Sequence, residues 1–318
     1  MLSGIELQIS ASVGISFAGR GGDLPEQVLQ DADTAMYQAK RKGGGRHGRV
    51  DLDEQRLADN RASLNRDLRG ALDRRELRTE YQPIVATADG RITGVEALLR
   101  WAHPIRGIVA PDTIIPLAEQ SGLIVDIGRW VLKQACTDLR RWQHHAHHEG
   151  LQICVNISTP QLMAPDFAAS VAEVLAETKT DPNLVTLEIT ESVFIQDSER
   201  ALVVLHDLKR LGVALALDDF GTGYSSLRYL KQFPVNIVKI DRAFIADLGH
   251  EPTSRLIVGA IVRLAHSLRM SVVAEGIESG EQYDEVVAMD CDSYQGYFFA
   301  RPASADALES LMATAATA

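Results

Sequence analysis

The stretch that decides the fold is Val213-Ala214-Leu215-Ala216-Leu217-Asp218-Asp219, a continuous apolar run that ends on two adjacent aspartates. An uninterrupted apolar run of this length is typical of a parallel strand that is covered on both faces. Seven other short apolar runs lie along the chain, at residues 81–85, 92–98, 151–157, 184–189, 237–240, 270–274 and 294–298. Amphipathic helical segments, such as 201–211 and 254–268, separate most of them. Eight strands with helical crossovers over about 240 residues predict an α/β fold, a closed TIM-like (β/α)8 barrel.

The connection between the first two runs departs from this pattern. Residues 86–91 join them, and Asp89-Gly90 within this segment is a β-hairpin signal. Six residues cannot hold a helical crossover. The first strand of the barrel is therefore predicted to be antiparallel.

The N-terminal residues show a different organisation. Strict alternation of apolar and polar residues over 5–17 predicts a strand, and the apolar stripe over 25–40 predicts a helix that stops at Gly43-Gly44-Gly45. One strand and one helix bury too little surface to fold alone. We therefore expect residues 1–50 to be a short α+β fragment, the end of a domain whose beginning is missing.

A polar helical segment over 52–76 follows this fragment. We expect residues 51–78 to form a connecting helix and residues 79–318 to form the barrel. The leucines at 57, 64, 68 and 72 form a sparse stripe along the helix. This stripe is interpreted as packing on the barrel, with pairing to another chain as the alternative.

Composition and charge exclude several classes of protein. Of the 318 residues, 46% are hydrophobic and 24% are charged, so a packed core is expected and general disorder is not. The net charge of −11 argues against a nucleic-acid duplex or an anionic membrane as the main partner. Three widely spaced cysteines do not form a disulfide framework, which favours the cytoplasm. No segment of this chain is expected to span a membrane, although a longer parent protein could be tethered upstream.

Polar residues stand at or beside the ends of successive predicted strands. They are Glu96, Asn156, Glu188, Asp218, Asp219, Lys239, Glu275 and Gln295. In a barrel these ends meet at the C-terminal mouth, where such enzymes keep their active sites. Each like-charged pair about 4 Å apart costs roughly 4 kcal/mol at an effective dielectric of 20, so the cluster requires cations. Oxygen ligands without His or Cys favour Mg²⁺ or Mn²⁺ over Zn²⁺.

The paired aspartates point to a reaction. Asp218 can bridge two ions while Asp219 reaches the second, and two neighbouring ions stabilise both the attacking and the leaving oxygen in phosphoester hydrolysis. Lys239 would supply positive charge to a phosphate or orient the attacking water. The alternative, a set of separate salt bridges and helix caps, does not explain why these residues recur at successive strand ends.

Residues 80–303 contain an ordered set of motifs: Tyr81-Gln82-Pro83-Ile84, Glu96-Ala97-Leu98-Leu99-Arg100-Trp101, Val155-Asn156-Ile157-Ser158, Leu187-Glu188-Ile189-Thr190-Glu191-Ser192, Asp218-Asp219-Phe220-Gly221-Thr222-Gly223, Val238-Lys239-Ile240-Asp241, Ala274-Glu275-Gly276-Ile277-Glu278 and Gln295-Gly296-Tyr297-Phe298. With this set, the segment resembles the EAL domain, the cyclic-di-GMP phosphodiesterase family. At the N-terminus, Val13-Gly14-Ile15-Ser16 and residues 31–40 resemble the C-terminal part of a GGDEF (diguanylate cyclase) domain. The signature loop of that family is absent, Gly21-Gly22-Asp23 is read as a chance match, and no cyclase activity is expected.

The resemblance implies a role for each mouth residue and for several neighbours. Glu96, Asn156, Glu188 and Asp218 would hold one metal ion, and Asp218, Asp219 and Glu275 would hold or approach the second. The catalytic residues would be Lys239, which positions the water, Glu275, the favoured general base, and Glu96. The substrate contacts would be Gln82, Leu99, Arg100, Gln295 and Glu278. Glu191 would brace the loop over 220–226.

These assignments predict a cytoplasmic enzyme, a homodimer through the barrel, that hydrolyses cyclic di-GMP to linear pGpG by two-metal activation of water. The alternative is a non-catalytic cyclic-di-GMP receptor that signals through its N-terminal part.

Three other signals are given structural interpretations. Asp219-Phe220-Gly221 spells the metal-binding triplet of protein kinases, but no kinase nucleotide loop accompanies it. The tract His144-His145-Ala146-His147-His148 suits the end of a helix. Gly43-Gly44-Gly45-Arg46 lacks the Lys-Ser/Thr of a Walker loop and is interpreted as a linker.

Overall fold

A computed structural model of the chain describes residues 10–16, 25–41, 47–49, 52–145, 150–193, 197–221, 230, 232–248 and 251–315. The chain divides into two compact units, residues 1–68 and residues 69–318. Each unit is described by itself below. The Gly21-Gly22-Asp23 and Gly43-Gly44-Gly45 segments lie outside the described residues.

The first unit contains two short parallel strands and two helices within its described ranges. Strand β1 (Val13–Ile15) pairs with β2 (His47–Arg49), and helix α1 (Pro25–Arg41) lies between them in the chain. Small residues allow α1 to pack closely, since Ala35 and Ala39 are buried. Of the strand predicted over 5–17, only Val13–Ile15 is a strand among the described residues 10–16; the first helix is present as predicted, and β2 was not predicted. Helix α2 (Leu52–Leu68) ends eight residues before the predicted end, where residues 69–75 form turns.

The second unit is built on a closed sheet. Its described strands are β3 (Leu77–Ala86), β4 (Ile92–His103), β5 (Gly107–Val109), β6 (Gln152–Ile157), β7 (Val185–Thr190), β8 (Ala214–Phe220), β9 (Ile237–Ile240), β10 (Ser271–Glu275) and β11 (Ser293–Gln295). The order β3-β11-β10-β9-β8-β7-β6-β4 closes through a second pairing between β3 and β4. Strand β3 is antiparallel to both of its neighbours, and the other pairings around the barrel are parallel. The predicted eight-stranded barrel with an antiparallel first strand is therefore confirmed.

Strand β5 is an addition to this barrel. It pairs antiparallel with the far end of β4, where Trp101 faces Val109, and it does not take part in the closure. The sequence analysis did not predict it, because three residues after a turn carry no periodic signal.

Helices cover the outside of the barrel. Within its described residues they are α3 (Pro111–Ser121), α4 (Ile124–His145), α5 (Thr159–Leu162), α6 (Phe167–Thr178), α7 (Ser198–Leu211), α8 (Arg242–Ala246), α9 (Pro252–Ser267), α10 (Gly280–Ala288) and α11 (Ala305–Ala315). The helices predicted near 201–211 and 254–268 correspond to α7 and α9. Several begin at side-chain caps: Asp197 accepts from the Arg200 amide, and Ser279 forms a reciprocal capping box with Gln282. None of the helices in the described ranges is long and apolar enough to cross a bilayer.

The barrel interior is layered below the polar mouth. Ile84, Cys154 and Val273 are buried together, with Ile237 packed against them. Each of them lies two residues before a polar residue of the mouth or two residues after one, as the strand period of two requires. This apolar layer lies beneath the polar side chains of the mouth.

Candidate active site and metal-binding residues

The mouth of the barrel is organised around the ammonium group of Lys239. Its Nζ atom lies 2.6 Å from Glu275 Oε1, 2.9 Å from Glu188 Oε2, 3.3 Å from Glu96 Oε2 and 3.5 Å from Asp218 Oδ1. The Lys239 side chain is 1% exposed. Strands β4, β7, β8, β9 and β10 each contribute one of these groups, so closure of the barrel brings them together. The predicted convergence of the strand-end residues is observed.

Burial and charge act in opposite directions on Lys239. Burial disfavours the ammonium form, but Glu188, Glu275 and the other carboxylates outweigh it and raise the pKa of Lys239 well above its ordinary value. The lysine is therefore charged at neutral pH. One ammonium group faces four carboxyl groups, so it neutralises only part of their charge.

Glu96 and Glu188 differ in how well their oxygens are satisfied. Burial opposes ionisation of Glu96, but Lys239 and bonds from Gln295 Nε2 (2.7 Å) and Asn156 Nδ2 (2.6 Å) lower its pKa. Glu188 accepts from Lys239 through Oε2, and its buried Oε1 has no hydrogen-bond partner among the described residues. Burial therefore raises the pKa of Glu188 well above its usual range, against the attraction of Lys239. Glu188 thus has one buried oxygen to which no described residue donates.

The two adjacent aspartates are brought to one side of the strand by an irregularity in β8. Consecutive side chains of a regular strand point to opposite faces. The β8–β9 register shifts between Leu217 and Phe220, and Asp219 adopts the left-handed region with φ 54°. A bulge of this kind re-aims a side chain next to an active site. Oxygens of Asp218, Asp219 and Glu275 all lie within 4.8 Å of one another as a result.

The pKa values of this acidic group are raised. Burial, followed by the charge of Asp218 and a hydrogen bond with Asp241, raises the pKa of Asp219 to about 6. Burial likewise raises the pKa of Glu275 to about 8, although Lys239 acts in the opposite direction. Burial is the largest cause in both cases, and repulsion from neighbouring carboxyl groups adds to it.

The site residues fit divalent cations. The donors are carboxylate and amide oxygens, which Mg²⁺ and Mn²⁺ prefer. Besides Glu188 Oε1, the buried Gln295 Oε1 lacks a hydrogen-bond partner in the described part of the chain. Buried oxygens without donors normally require a ligand, an ion or water. The excess of negative charge and the spare oxygens both indicate cation binding.

Two neighbouring cavities open at the mouth. The larger, about 450 Å³, extends over α3, α4 and the ends of β6 and β7. The smaller, about 370 Å³, lies between β3, β10 and β11 and includes Glu278 and Tyr297. Both are lined by Leu98, Asp112, Asp218 and Asp219, so the paired aspartates sit where the cavities meet. The arrangement offers a two-lobed groove across the acidic site.

Some of the residues predicted to contact the substrate line a cavity of this groove, and others are held by hydrogen bonds within the protein. Gln295 Nε2 donates to Gln82 Oε1 at 2.9 Å, and Gln82 donates to the Ala300 carbonyl. Leu99 and Glu278 line the larger and the smaller cavity respectively. Arg100 lines neither cavity; its Nε donates to Glu80 Oε2 at 2.9 Å and its Nη1 to the Leu99 carbonyl at 2.9 Å.

Glu191 contacts the start of the loop that it was predicted to brace. Its Oε1 accepts from the Gly221 amide at 2.8 Å. Glycine is required there, since φ is 99° and an added Cβ would lie 2.7 Å from the ring of Phe244. Residues 222–229, most of the predicted loop, lie outside the described residues, as do 146–149 of the histidine tract.

Sequence reasoning missed two contributors to the site. Asp241 contacts Asp219 and caps α8 by accepting from the Ala243 amide. It directly follows β9, so the rule that strand-end polar residues converge would have included it. Glu80, the partner of Arg100, lies inside β3 next to Tyr81, and no feature of the sequence singles it out.

The fold and site together define a TIM-like barrel protein with an oxygen-rich site for divalent cations at its mouth. Comparison with protein families gives the particular family: the chain belongs to the EAL domain family, whose model matches residues 65–302. The model described as "Diguanylate cyclase, GGDEF domain" matches residues 1–46. The predicted combination of an EAL domain with a GGDEF fragment is confirmed.

Two of the similar proteins come from Pseudomonas aeruginosa. The chain is 41% identical to the bifunctional diguanylate cyclase/cyclic di-GMP phosphodiesterase MucR, over 95% of its own length and 44% of MucR. It is 38% identical to the cyclic di-GMP phosphodiesterase NbdA, over 98% of its length and 40% of NbdA. The chain thus spans less than half of the length of these relatives.

Solved structures agree with these similarities. A structure of the PaMucR phosphodiesterase in complex with c-di-GMP is 44% identical, with a TM-score of 0.74, and covers 77% of this chain and 99% of that one. A structure of the EAL enzyme Bd1971 bound to cAMP and cyclic di-GMP is 30% identical, with a TM-score of 0.78, and covers 92% and 76%.

Proposed function

We propose that this chain is a divalent-cation-dependent phosphodiesterase that hydrolyses cyclic di-GMP to linear pGpG. The observation that carries the proposal is the cluster of Glu96, Glu188, Asp218 and Glu275 around Lys239 at the mouth of an EAL barrel. The similarity to MucR and NbdA supports the choice of substrate.

Two Mg²⁺ or Mn²⁺ ions would occupy the acidic groups. Glu96, Asn156, Glu188 and Asp218 would hold one ion, and Asp218, Asp219 and Glu275 would hold the other. When bound, the ions supply positive charge that activates water and stabilises the leaving oxygen of a phosphodiester. The spare oxygen of Glu188 and the close approach of Asp218, Asp219 and Glu275 support this division.

The chain's own residues then have separate tasks. Lys239 holds the carboxylates together around its ammonium group and places a positive charge beside the attacking water. Glu275 takes the proton of that water as the general base. The water oxygen forms a bond to phosphorus while the bond to the 3′ oxygen breaks, and that oxygen takes a proton from solvent. One water is consumed, and the linear product carries a 5′ phosphate.

The groove provides room for a dinucleotide on both sides of this centre. Arg100 would contact a phosphate through charge-assisted bonds, while Gln82, Gln295, Leu99 and Glu278 would contact the remainder of the substrate. Two cavities that meet at Asp218 and Asp219 support binding across the acidic site rather than at one end of it.

Nucleotide chromatography tests the proposal directly. Purified protein with cyclic di-GMP should form pGpG in Mg²⁺ or Mn²⁺ but not in EDTA, and Glu96→Ala or Asp218→Ala should abolish the product. Glu173→Ala is the matched control, because this exposed glutamate only pairs with Arg129 on the surface. No turnover by the wild-type protein in either metal would contradict the proposal.

A receptor role is the alternative function. The GGDEF match over residues 1–46 favours it, because a GGDEF segment beside an EAL barrel suggests a division of labour. A receptor would bind cyclic di-GMP tightly in Ca²⁺ or EDTA and release no product in Mg²⁺. Rapid turnover in the same assay would eliminate a purely receptor role.

The wider organisation of the chain is a separate proposal. We propose a cytoplasmic homodimer through the barrel, composed of residues 1–50 as the GGDEF remnant, 51–78 as the connecting helix and 79–318 as the phosphodiesterase. Three buried free cysteines support a reducing compartment. Light scattering of the purified chain, compared with a version that begins at residue 69, tests the dimer and its location.

A further inference from the structure

An ion-pair cluster lies beyond the metal-binding residues on the β3–β4 hairpin. Arg78 and Arg100 are directly opposite each other in the antiparallel register, a placement that repels like charges. Glu80 separates them: its Oε2 accepts from Arg100 Nε at 2.9 Å and its Oε1 from Arg78 Nη2 at 3.0 Å. The cluster has a formal charge of +1 beside an acidic mouth.

The cluster belongs to the same face of the hairpin as the site. With a side-chain period of two, Glu80 shares a face with Gln82, and Arg100 shares a face with Glu96. Gln82 and Glu96 are themselves register partners. Arg100 is four residues from Glu96, which corresponds to about 13 Å along an extended strand. Arg100 therefore lies on the same face as the acidic centre but further along the strand.

The protein provides hydrogen-bond partners for some, but not all, of the guanidinium donors of Arg100. Its Nε donates to Glu80 and its Nη1 to the Leu99 carbonyl. No contact of Nη2 is observed within the described residues, and the side chain is 15% exposed. One edge of the guanidinium group is therefore fixed by the protein, and donors remain for an anion.

We propose that Glu80 is a positioning residue that fixes the guanidinium group of Arg100 for a phosphate of the substrate. The inference rests on the proposed function, and it concerns a residue that touches Arg100 rather than the dinucleotide. An arginine side chain has many rotamers, and binding must immobilise them unless the protein has already done so. Glu80 orders the side chain before the substrate arrives, and it offsets the repulsion from Arg78.

The kinetic signature follows from this role. Arg100 would contact a phosphate that lies away from the acidic centre. Fixing the Arg100 side chain therefore affects substrate binding more than the chemical step. Glu80→Ala should raise KM for cyclic di-GMP about tenfold, with kcat within about twofold. Glu80→Gln keeps an oxygen acceptor for Arg100 and should recover part of the loss.

A double-mutant cycle separates positioning from a general structural role. If Glu80 acts through Arg100, adding Glu80→Ala to Arg100→Ala should raise KM by less than about twofold further. Arg78→Ala is the matched control, because it removes a contact to the same carboxylate and leaves the Arg100 contact in place. Its KM should stay within about twofold of the wild-type value.

Each other outcome overturns the inference. A lower KM for Glu80→Ala would mean that the carboxylate competes with the phosphate. Equal effects of Glu80→Ala and Arg78→Ala, or full additivity with Arg100→Ala, would assign the effect to stability. An unchanged KM in an active enzyme would refute positioning while leaving the proposed function intact. If the wild-type protein binds without turnover, the same comparisons are made in Kd; if it does neither, the proposed function fails and this inference fails with it.

Discussion

Replacing Lys239 by methionine should strongly destabilise the barrel when no divalent cation is present. Methionine keeps an unbranched apolar stem of similar length and removes only the charge. The ammonium group lies 2.6 Å from Glu275 and 2.9 Å from Glu188, both of which are largely buried. Without it, these carboxyl groups repel one another with no cation between them.

The structure sets the size of the effect. Removing one partner of a buried ion pair costs about 3–5 kcal/mol, because the other charge stays buried and unpaired. In a unit the size of residues 69–318, each kcal/mol lowers the unfolding midpoint by about 2–4 °C. Lys239→Met should therefore lower the midpoint by about 6–20 °C in EDTA. Mn²⁺ should raise the unfolding midpoint of Lys239→Met more than it raises that of the wild-type protein, because the cation replaces the missing charge.

Differential scanning calorimetry in EDTA and in Mn²⁺ measures both quantities. Lys133→Met is the control, because this lysine is 55% exposed and pairs with Glu177 on the surface. It should change stability by less than about 1 kcal/mol. A loss of 1 kcal/mol should shift the unfolding midpoint by at least about 2 °C. If the midpoint of Lys239→Met in EDTA lies within about 2 °C of the wild-type value, the view that one ammonium group holds the carboxylates together is refuted.

Three further substitutions test other parts of the structure. Gly221→Ala forces a left-handed residue to carry a Cβ, so we expect a loss of about 1–3 kcal/mol in thermal unfolding and weaker Mn²⁺ binding by calorimetry. Tyr81→Phe removes the buried 2.6 Å bond to Asp138, which should cost about 1–3 kcal/mol in urea unfolding while KM stays constant. The hydrogen bond from Arg74 lowers the pKa of Glu76 to about 2 in the folded protein. Because the pKa is lowered on folding, ionised Glu76 stabilises the folded protein above the unfolded pKa near 4.5, and this stabilisation is lost as the pH falls toward 2. The difference in free energy of unfolding between wild type and Glu76→Gln should therefore vanish between pH 4.5 and pH 2.

The barrel could be predicted because its determinants are local. Short apolar runs separated by helical segments define parallel strands, and Asp89-Gly90 in a six-residue connection reveals the reversed first strand. Strand β5 escaped prediction because Gly107-Ile108-Val109 pairs through its backbone with Trp101–His103, and backbone pairing leaves no mark on a three-residue sequence.

The sequence predicted which residues meet at the site but not how their side chains are arranged. Strand-end polar residues had to meet at the mouth, and the observed contacts of Lys239 agree with that expectation. A regular strand would send Asp218 and Asp219 to opposite faces, and only the bulge with φ 54° at Asp219 brings both toward Glu275. The Glu80–Arg100 pair was not predictable either, because it depends on which rotamer a long side chain adopts.

The position of Lys239 has a consequence for how cations would bind. It holds four carboxyl groups within 2.6–3.5 Å of its ammonium group, so an ion would find its ligands gathered and would not need to order them. The same lysine occupies oxygens that an ion would use, and binding must therefore exchange some of its contacts for metal bonds. The spare Glu188 Oε1 is an oxygen that a cation can take without breaking a lysine contact. Glu188 would therefore hold a first ion through this oxygen while Lys239 keeps its four contacts, and the other carboxylate ligands would become available to an ion only as those contacts are exchanged.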